Sequence, residues 1–172
     1  MLEKAGAAGV EHPGGTLLAH LRRTGDLLTA WGARPALATA GLCHAFYGTD
    51  GFATALVGLE RRAEVAETIG AEAEEIVYVY AACDRRSSYR QLALDHGVFV
   101  DRFTGAHTCP ELRARRDFAE ITAANELDLA MVSPQFHADH AVGLLALFTR
   151  WRPLLSDPAW AQCCQVLGET GG

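Results

Sequence analysis

Apolar residues recur along this chain at intervals of three and four, the spacing of one helix face. Leu17, Leu18, Leu21, Leu28 and Trp31 share such a face. Thr16 precedes them as a capping residue and Gly32 follows as a stop. Pro35 suits the first turn of the next helix. From Ala36 to Tyr47 nearly every position is apolar, including Leu37, Ala40, Leu42, Cys43 and Phe46. That pattern predicts a central, buried helix. Gly48-Thr49-Asp50-Gly51 breaks it. A third helix is predicted from about Ala53 to Ile69, ended by Gly70, and a fourth from Ala71 to Asp84. Glu72, Glu74 and Glu75 suit the positive end of the fourth helix.

The stretch from Asp84 to Cys109 is the least regular. Within it, residues 97–103 (Gly-Val-Phe-Val-Asp-Arg-Phe) read as a short hairpin or an extended loop. Thr108-Cys109-Pro110-Glu111 reads as a capping box that opens a long helix to about Met131. Ser133-Pro134 interrupts, another helix runs to about Trp151, and Asp157-Pro158 starts a last one that Gly168 ends. The expectation is one all-α domain over residues 1–172, a bundle of six or seven helices. Met1–Glu11 is expected to be a flexible tail and His12-Pro13-Gly14-Gly15 a turn.

Composition narrows the function classes. A net charge of -6 argues against a nucleic-acid partner, which needs a basic face. A small phosphorylated substrate needs only a local arginine cluster and stays open. No apolar run reaches membrane-spanning length, and no secretion signal is read at the N-terminus. The five cysteines are odd in number and lack zinc-site spacing, which predicts a reducing, cytoplasmic setting. Cys43 and Cys83 read as buried apolar side chains. The apolar stretch Ala141–Phe148 suits a core or an interface between copies, so a homo-oligomer is open.

The candidate chemistry starts with two histidines. His20 lies on or beside the apolar face of the first helix, and His44 lies inside the most apolar one. A buried ring without a partner costs about 1–3 kcal/mol. A shared partner on neighbouring helices would remove that cost. Tyr47, Thr49 and Asp50 follow just past His44, between glycines that let backbone approach a ligand. The same residues also read as a plain helix-ending turn. Arg22-Arg23 and Arg85-Arg86 are candidate anion binders or solvated charges at helix ends. His137 and His140 share a helix face but have no further ligand nearby. Trp151 and Trp160 read as packing anchors.

Three segments carry a resemblance. Leu18-Ala19-His20-Leu21, then residues 40–45 (Ala-Gly-Leu-Cys-His-Ala), then residues 70–77 (Gly-Ala-Glu-Ala-Glu-Glu-Ile-Val) resemble the HD-domain superfamily of metal-dependent phosphohydrolases. The likeness is nearest to its guanosine-tetraphosphate hydrolase branch and covers about Thr16 to Leu129. It implies an HD-like helical bundle with a metal held by His, a His-Asp pair and a later Asp. His20 and His44 take the histidine positions. Ala45 stands where the family has Asp, and Asn125 stands at the late Asp position. Two lost carboxylates remove two charges that would offset a divalent cation. No cofactor is therefore expected; a divalent transition metal, if held, would sit on His20, His44 and Asn125, with Asp84 or Asp50 joining.

The resulting expectation is a divergent HD-fold enzyme acting on a small molecule by acid–base chemistry of lyase, cyclase or hydrolase type. His20, His44, Tyr47 and Asp50 are its catalytic candidates. Arg23, Thr49, Asp84, Arg85 and Asn125 are its substrate-binding candidates. The alternatives are a metal-dependent phosphohydrolase with a reduced ligand set, and an inactive HD-like module that binds a ligand or partner.

Overall fold

The computed structural model describes residues 2, 3 and 5–168. Eight α-helices and two short strand pairs occur among them. The helices are α1 (Leu17–Ala30), α2 (Pro35–Cys43), α3 (Arg62–Ile69), α4 (Ala71–Ala82), α5 (Arg85–Ser88), α6 (Leu112–Val132), α7 (Pro134–Arg150) and α8 (Asp157–Gly168). Two antiparallel pairs complete the inventory: β1 (Glu11–His12) with β2 (Gly15–Thr16), and β3 (Phe99–Val100) with β4 (His107–Thr108). The chain is an all-α single domain. Its helix count exceeds the expected six or seven because Asp84 caps an extra one-turn helix, α5, accepting from Ser87 N at 2.9 Å.

α6 is the axis of the bundle. It packs against α1, α2, α4, α7 and α8. Phe118, Ile121, Ala123, Ala124 and Leu127 along it are buried, and Phe46, Phe148 and Trp151 close around them. Trp151 is the packing anchor expected of it; its ring NH donates to Tyr89 O at 3.1 Å. A helix buried on most sides has to satisfy its polar side chains internally. Asp117, Glu120, Asn125, Glu126 and Asp128 all lie on α6, and each has a partner.

Several caps follow the sequence. Thr16 Oγ1 accepts from Ala19 N at 3.2 Å, and Ser133 Oγ accepts from Phe136 N at 3.2 Å. Other boundaries move. Residues 53–58 are not helical: Val57 is buried and its N–H donates to Phe46 O at 2.8 Å, tying the segment down before α3 begins. The Thr108–Glu111 capping box does not form, because Thr108 is taken into β4 and α6 starts at Leu112 without a side-chain cap.

The predicted N-terminal tail is folded instead, although Met1 and Lys4 lie outside the described residues. Ala7–Gly9 forms a 3-10 turn with Ala7 fully buried, and Val10 O accepts from Leu17 N at 2.9 Å. The β1–β2 turn packs against the C-terminal end of α6. A side chain at Gly14, whose φ is 77°, would meet Val132 at 2.6 Å. Only glycine allows both that backbone and that approach. The hairpin thereby brings His12 onto α1. Among the described residues no helix is long and apolar enough to cross a membrane.

Candidate functional site

His20 lies in the first turn of α1 and is 1% exposed; His44 follows the last residue of α2 and is 3% exposed. Their ring centroids lie 5.2 Å apart, edge to face. Both line one cavity of about 310 Å³, with His12, Arg85, Asn125 and Glu126 as its other principal polar groups. Leu17, Phe52, Leu129 and Phe136 form apolar wall. The two rings that the sequence singled out therefore meet in one shared space.

Their surroundings differ. His20 Nδ1 lies 2.6 Å from Asp128 Oδ2, and Arg23 clamps the same carboxylate through Nε at 2.5 Å and Nη2 at 3.0 Å. Burial pushes the Asp128 carboxyl up, but the bonds from His20 and Arg23 outweigh it and hold it below the ordinary value. On the other side of the ring, Nε2 lies 3.0 Å from Asn125 Oδ1. The Asn125 amide in turn donates to Glu126 Oε1 at 3.1 Å. With the amide so placed, both His20 nitrogens face acceptor oxygens.

His44 is the opposite case. Its Nδ1–H donates to Gly41 O at 2.7 Å, which fixes the tautomer and leaves Nε2 as a lone pair. Burial, and then the charge of His20, hold its pKa down to about 3. The ring is neutral at physiological pH. His12 adds a third imidazole, stacked on His20 with centroids 4.2 Å apart. Burial and His20 bring it down to about 4, and its buried Nδ1 has no hydrogen-bond partner.

The other expected residues divide. Arg85, Asn125 and Thr49 line the cavity. Thr49 also holds the loop, through a bridge to Phe52 whose N–H meets its hydroxyl at 3.1 Å. Arg23 acts behind His20, on Asp128. Asp50 Oδ2 accepts from Arg85 N at 2.9 Å, so it positions Arg85 and does not line the cavity. Asp84 is a helix cap. Tyr47 points elsewhere: its hydroxyl donates to Glu74 Oε1 at 2.9 Å, in an ion-pair cluster with Arg62. Tyr47, Asp50 and Asp84 thus leave the set of groups that can touch a substrate in the cavity.

His12, Glu126 and Asp128 were missed. His12 was hidden in a Pro-Gly-Gly turn. Glu126 and Asp128 follow the Asn125 position that the resemblance picked out, and three-residue helical spacing from Asn125 puts Asp128 on the same face, toward His20. His137 and His140 form no metal cluster: His137 Nε2 lies 2.8 Å from Val166 O, and His140 packs on Phe136. Among the described residues no group of three or more His, Cys, Asp or Glu side chains is arranged to hold a metal ion. The lining supplies three imidazoles, the Asn125 amide oxygen and the carboxylates of Glu11 and Glu126, the latter facing Arg85, while the two positions where the resemblance expects carboxylate ligands hold Ala45 and Asn125.

A larger cleft of about 460 Å³ lies between the α1–α2 turn and Pro153–Asp157. Its buried ionisable groups are already engaged, while Arg116 is exposed to solvent: Arg34 grips Asp117 at 2.6 and 2.5 Å, and Glu120 Oε1 accepts from Ser156 N at 2.6 Å. The smaller cavity has the unpaired groups, which is where ligand chemistry is sought.

Residues 1–85 match a protein family described as a domain of unknown function, DUF6817. The matched stretch carries His12, His20, His44 and Arg85. The Asn125–Asp128 wall of the cavity lies outside it. No curated protein and no solved structure matches the chain.

Proposed function

We propose that this chain is a divergent HD-like enzyme that acts on a small molecule by acid–base chemistry at the His20–His44 cavity. One observation carries the reading: two touching imidazoles on one cavity have opposite proton environments. His20 sits between a carboxylate and an amide oxygen, an arrangement that holds a proton at Nε2. His44 is neutral, with its lone pair toward the cavity. Pairs of titratable groups whose surroundings push them apart are the usual basis of acid and base roles.

In this scheme His44 Nε2 accepts a proton from the substrate and His20 Nε2 supplies one. Asp128 holds the His20 ring in orientation and stabilises its charge. Arg23 keeps Asp128 ionised. Elimination, isomerisation and cyclisation need these two transfers, and in hydrolysis His44 takes its proton from an attacking water instead of from the substrate. Phe52, Leu17 and Phe136 keep bulk water from the reacting atoms.

A second reading has one specific support. Both rings have Nδ1 anchored on an acceptor and Nε2 toward the cavity, the orientation of metal-ligating histidines. It corresponds to the metal-dependent hydrolase of the HD resemblance, with Asn125 as third ligand. The donor set fits it poorly, as Ala45 and Asn125 supply no carboxylate.

The test is conversion of a pooled small-molecule library, followed by mass spectrometry, for wild type and His44→Gln. The acid–base reading expects a consumed compound in wild type and a loss of about 10²- to 10⁴-fold in the variant. Conversion that survives His44→Gln overturns it. Stoichiometric metal in the purified protein, with activity lost on chelation and restored by the ion, selects the second reading.

A further inference from the structure

Arg85 stands out among the cavity groups. Its backbone N–H is held by Asp50, but its guanidinium makes no hydrogen bond to any described residue. Its nearest charged neighbour is Glu126 Oε1, 3.6 Å from Nη1, beyond hydrogen-bond reach. Five N–H donors in a largely enclosed site seldom stay idle. The wall opposite leaves them room. A Cβ at Gly51 would come within 3.1 Å of Nη1, so the absence of a side chain there keeps the fork open. Behind it the hydroxyls of Tyr80 and Tyr89 are buried without partners, and the Tyr89 ring centroid is 5.8 Å from the guanidinium carbon. Three half-buried arginines of this chain are each gripped by a carboxylate through two bonds: Arg34 by Asp117, Arg62 by Glu74 and Arg23 by Asp128.

We propose that Arg85 receives an oxyanion of the substrate, a carboxylate or a phosphate, and that Glu126, 3.6 Å from the guanidinium, is the internal anion that competes with it. Fork-shaped guanidinium donors match planar and tetrahedral oxyanions alike. Glu126 lies between Arg85 and the Asn125 amide, which donates to its Oε1 at 3.1 Å. A second anion at the guanidinium meets the repulsion of that carboxylate, which limits how tightly the oxyanion is held.

The inference rests on this cavity being the substrate site, but its test reads binding and needs no turnover. Sulfate and acetate, which do not titrate between pH 6 and 8, serve as tetrahedral and planar probes in calorimetric titrations. Wild type should bind at least one of them at a single site, and the preferred probe separates a phosphate from a carboxylate substrate. Arg85→Gln should weaken that binding about 10- to 100-fold, the worth of charge-assisted hydrogen bonds. Glu126→Gln removes the internal competitor, so it should bind the probe more tightly than wild type at pH 8, a gain that no folding defect mimics. Glu74→Gln, outside the cavity, should bind as wild type does. The readout involves no turnover, so a failed acid–base reading leaves this result standing. Binding that is unchanged in Arg85→Gln, or absent from wild type for both probes, overturns the proposal. So does a Glu126→Gln variant with wild-type affinity.

Discussion

On the α3–α4 side of the bundle, Glu74 is 4% exposed and accepts from Arg62 at 2.6 and 2.8 Å and from Tyr47 at 2.9 Å. Arg62 also lies over the Tyr78 ring, 3.7 Å from its centroid. Across the molecule Glu126 is 9% exposed, and its arginine stands 3.6 Å off with no hydrogen bond of its own to a described residue. The two sites hold similar residues at similar depth. One is closed, each charge matched by several short bonds. The other leaves an imidazole lone pair, a guanidinium and a second imidazole nitrogen facing a cavity. Buried polar groups are costly when unmatched, so an open set in a well-packed domain points to a ligand that completes it. Both sites are equally conspicuous as charge in the sequence, and only the pairing separates them.

The sharpest way to break this comparison is to delete the matched anion on each side. Asp128→Ala leaves the buried His20 ring and the half-buried Arg23 without their carboxylate, and removing one partner of a buried pair costs about 3–5 kcal/mol. Glu74→Gln keeps hydrogen-bonding capacity and leaves Arg62 its second carboxylate, Glu75, 2.9 Å away. It should cost about 1–3 kcal/mol. Urea unfolding measures both. On the acid–base reading, turnover should collapse in Asp128→Ala, measured below its melting transition, and stay at the wild-type level in Glu74→Gln. Equal turnover in the two variants would erase the distinction between a structural and a working ion pair.

Acid gives the next largest effect. His44 is held near 3 in the folded chain, while the unfolded chain binds its proton near 6.5. Between those values the unfolded state carries more protons, so stability is full above pH 6.5 and falls as pH drops. The slope for one such group is about 1.4 kcal/mol per pH unit. His12, half-buried and brought to about 4, adds a weaker loss over the same range. His44→Gln has no ring to titrate at that position. The free-energy gap between variant and wild type should therefore shift in the variant's favour as pH falls from 6.5 to 4.5. A gap that stays constant across those pH values would mean that His44 is open to water and not sealed against its charge.

Much of this architecture is legible in local chemistry. Thr16, Gly32, Pro35, Ser133 and Asp157 mark helix ends by rules that act within one turn, and the helices fall where they say. The two histidines are legible for a related reason: a polar ring on an apolar face needs an explanation wherever it occurs. What local rules miss is set by contacts between residues far apart in the chain. His20 meets Asp128 and Asn125 across 108 and 105 positions. Tyr47 follows His44 closely, but its hydroxyl is captured by Glu74 on another helix. The N-terminal segment looks like a tail because its apolar residues are few; Ala7 and Val10 suffice once Gly14 lets the hairpin lie on α6.

Asp50 is the smallest and most discriminating test of what that local reading got wrong. Its place two glycines from the cavity made it a catalytic candidate, a carboxylate within reach of His44. Its oxygen is instead engaged by the backbone N–H of Arg85, at a position open to solvent. A general acid or base at that site would lose nearly all turnover on conversion to Asn. A residue that only steadies the start of α5 would lose about 0.5–1.5 kcal/mol of local hydrogen bonding and keep an acceptor in place. Asp50→Asn is therefore expected to hold kcat within a few-fold of wild type. It should leave the pH profile unchanged and raise KM modestly through a less fixed Arg85. A kcat drop of two orders of magnitude, with an ionisation missing from the profile, would return Asp50 to the reacting groups. It would also mean that the loop after α2 closes farther over the cavity than its hydrogen bonds to α5 and Phe52 allow.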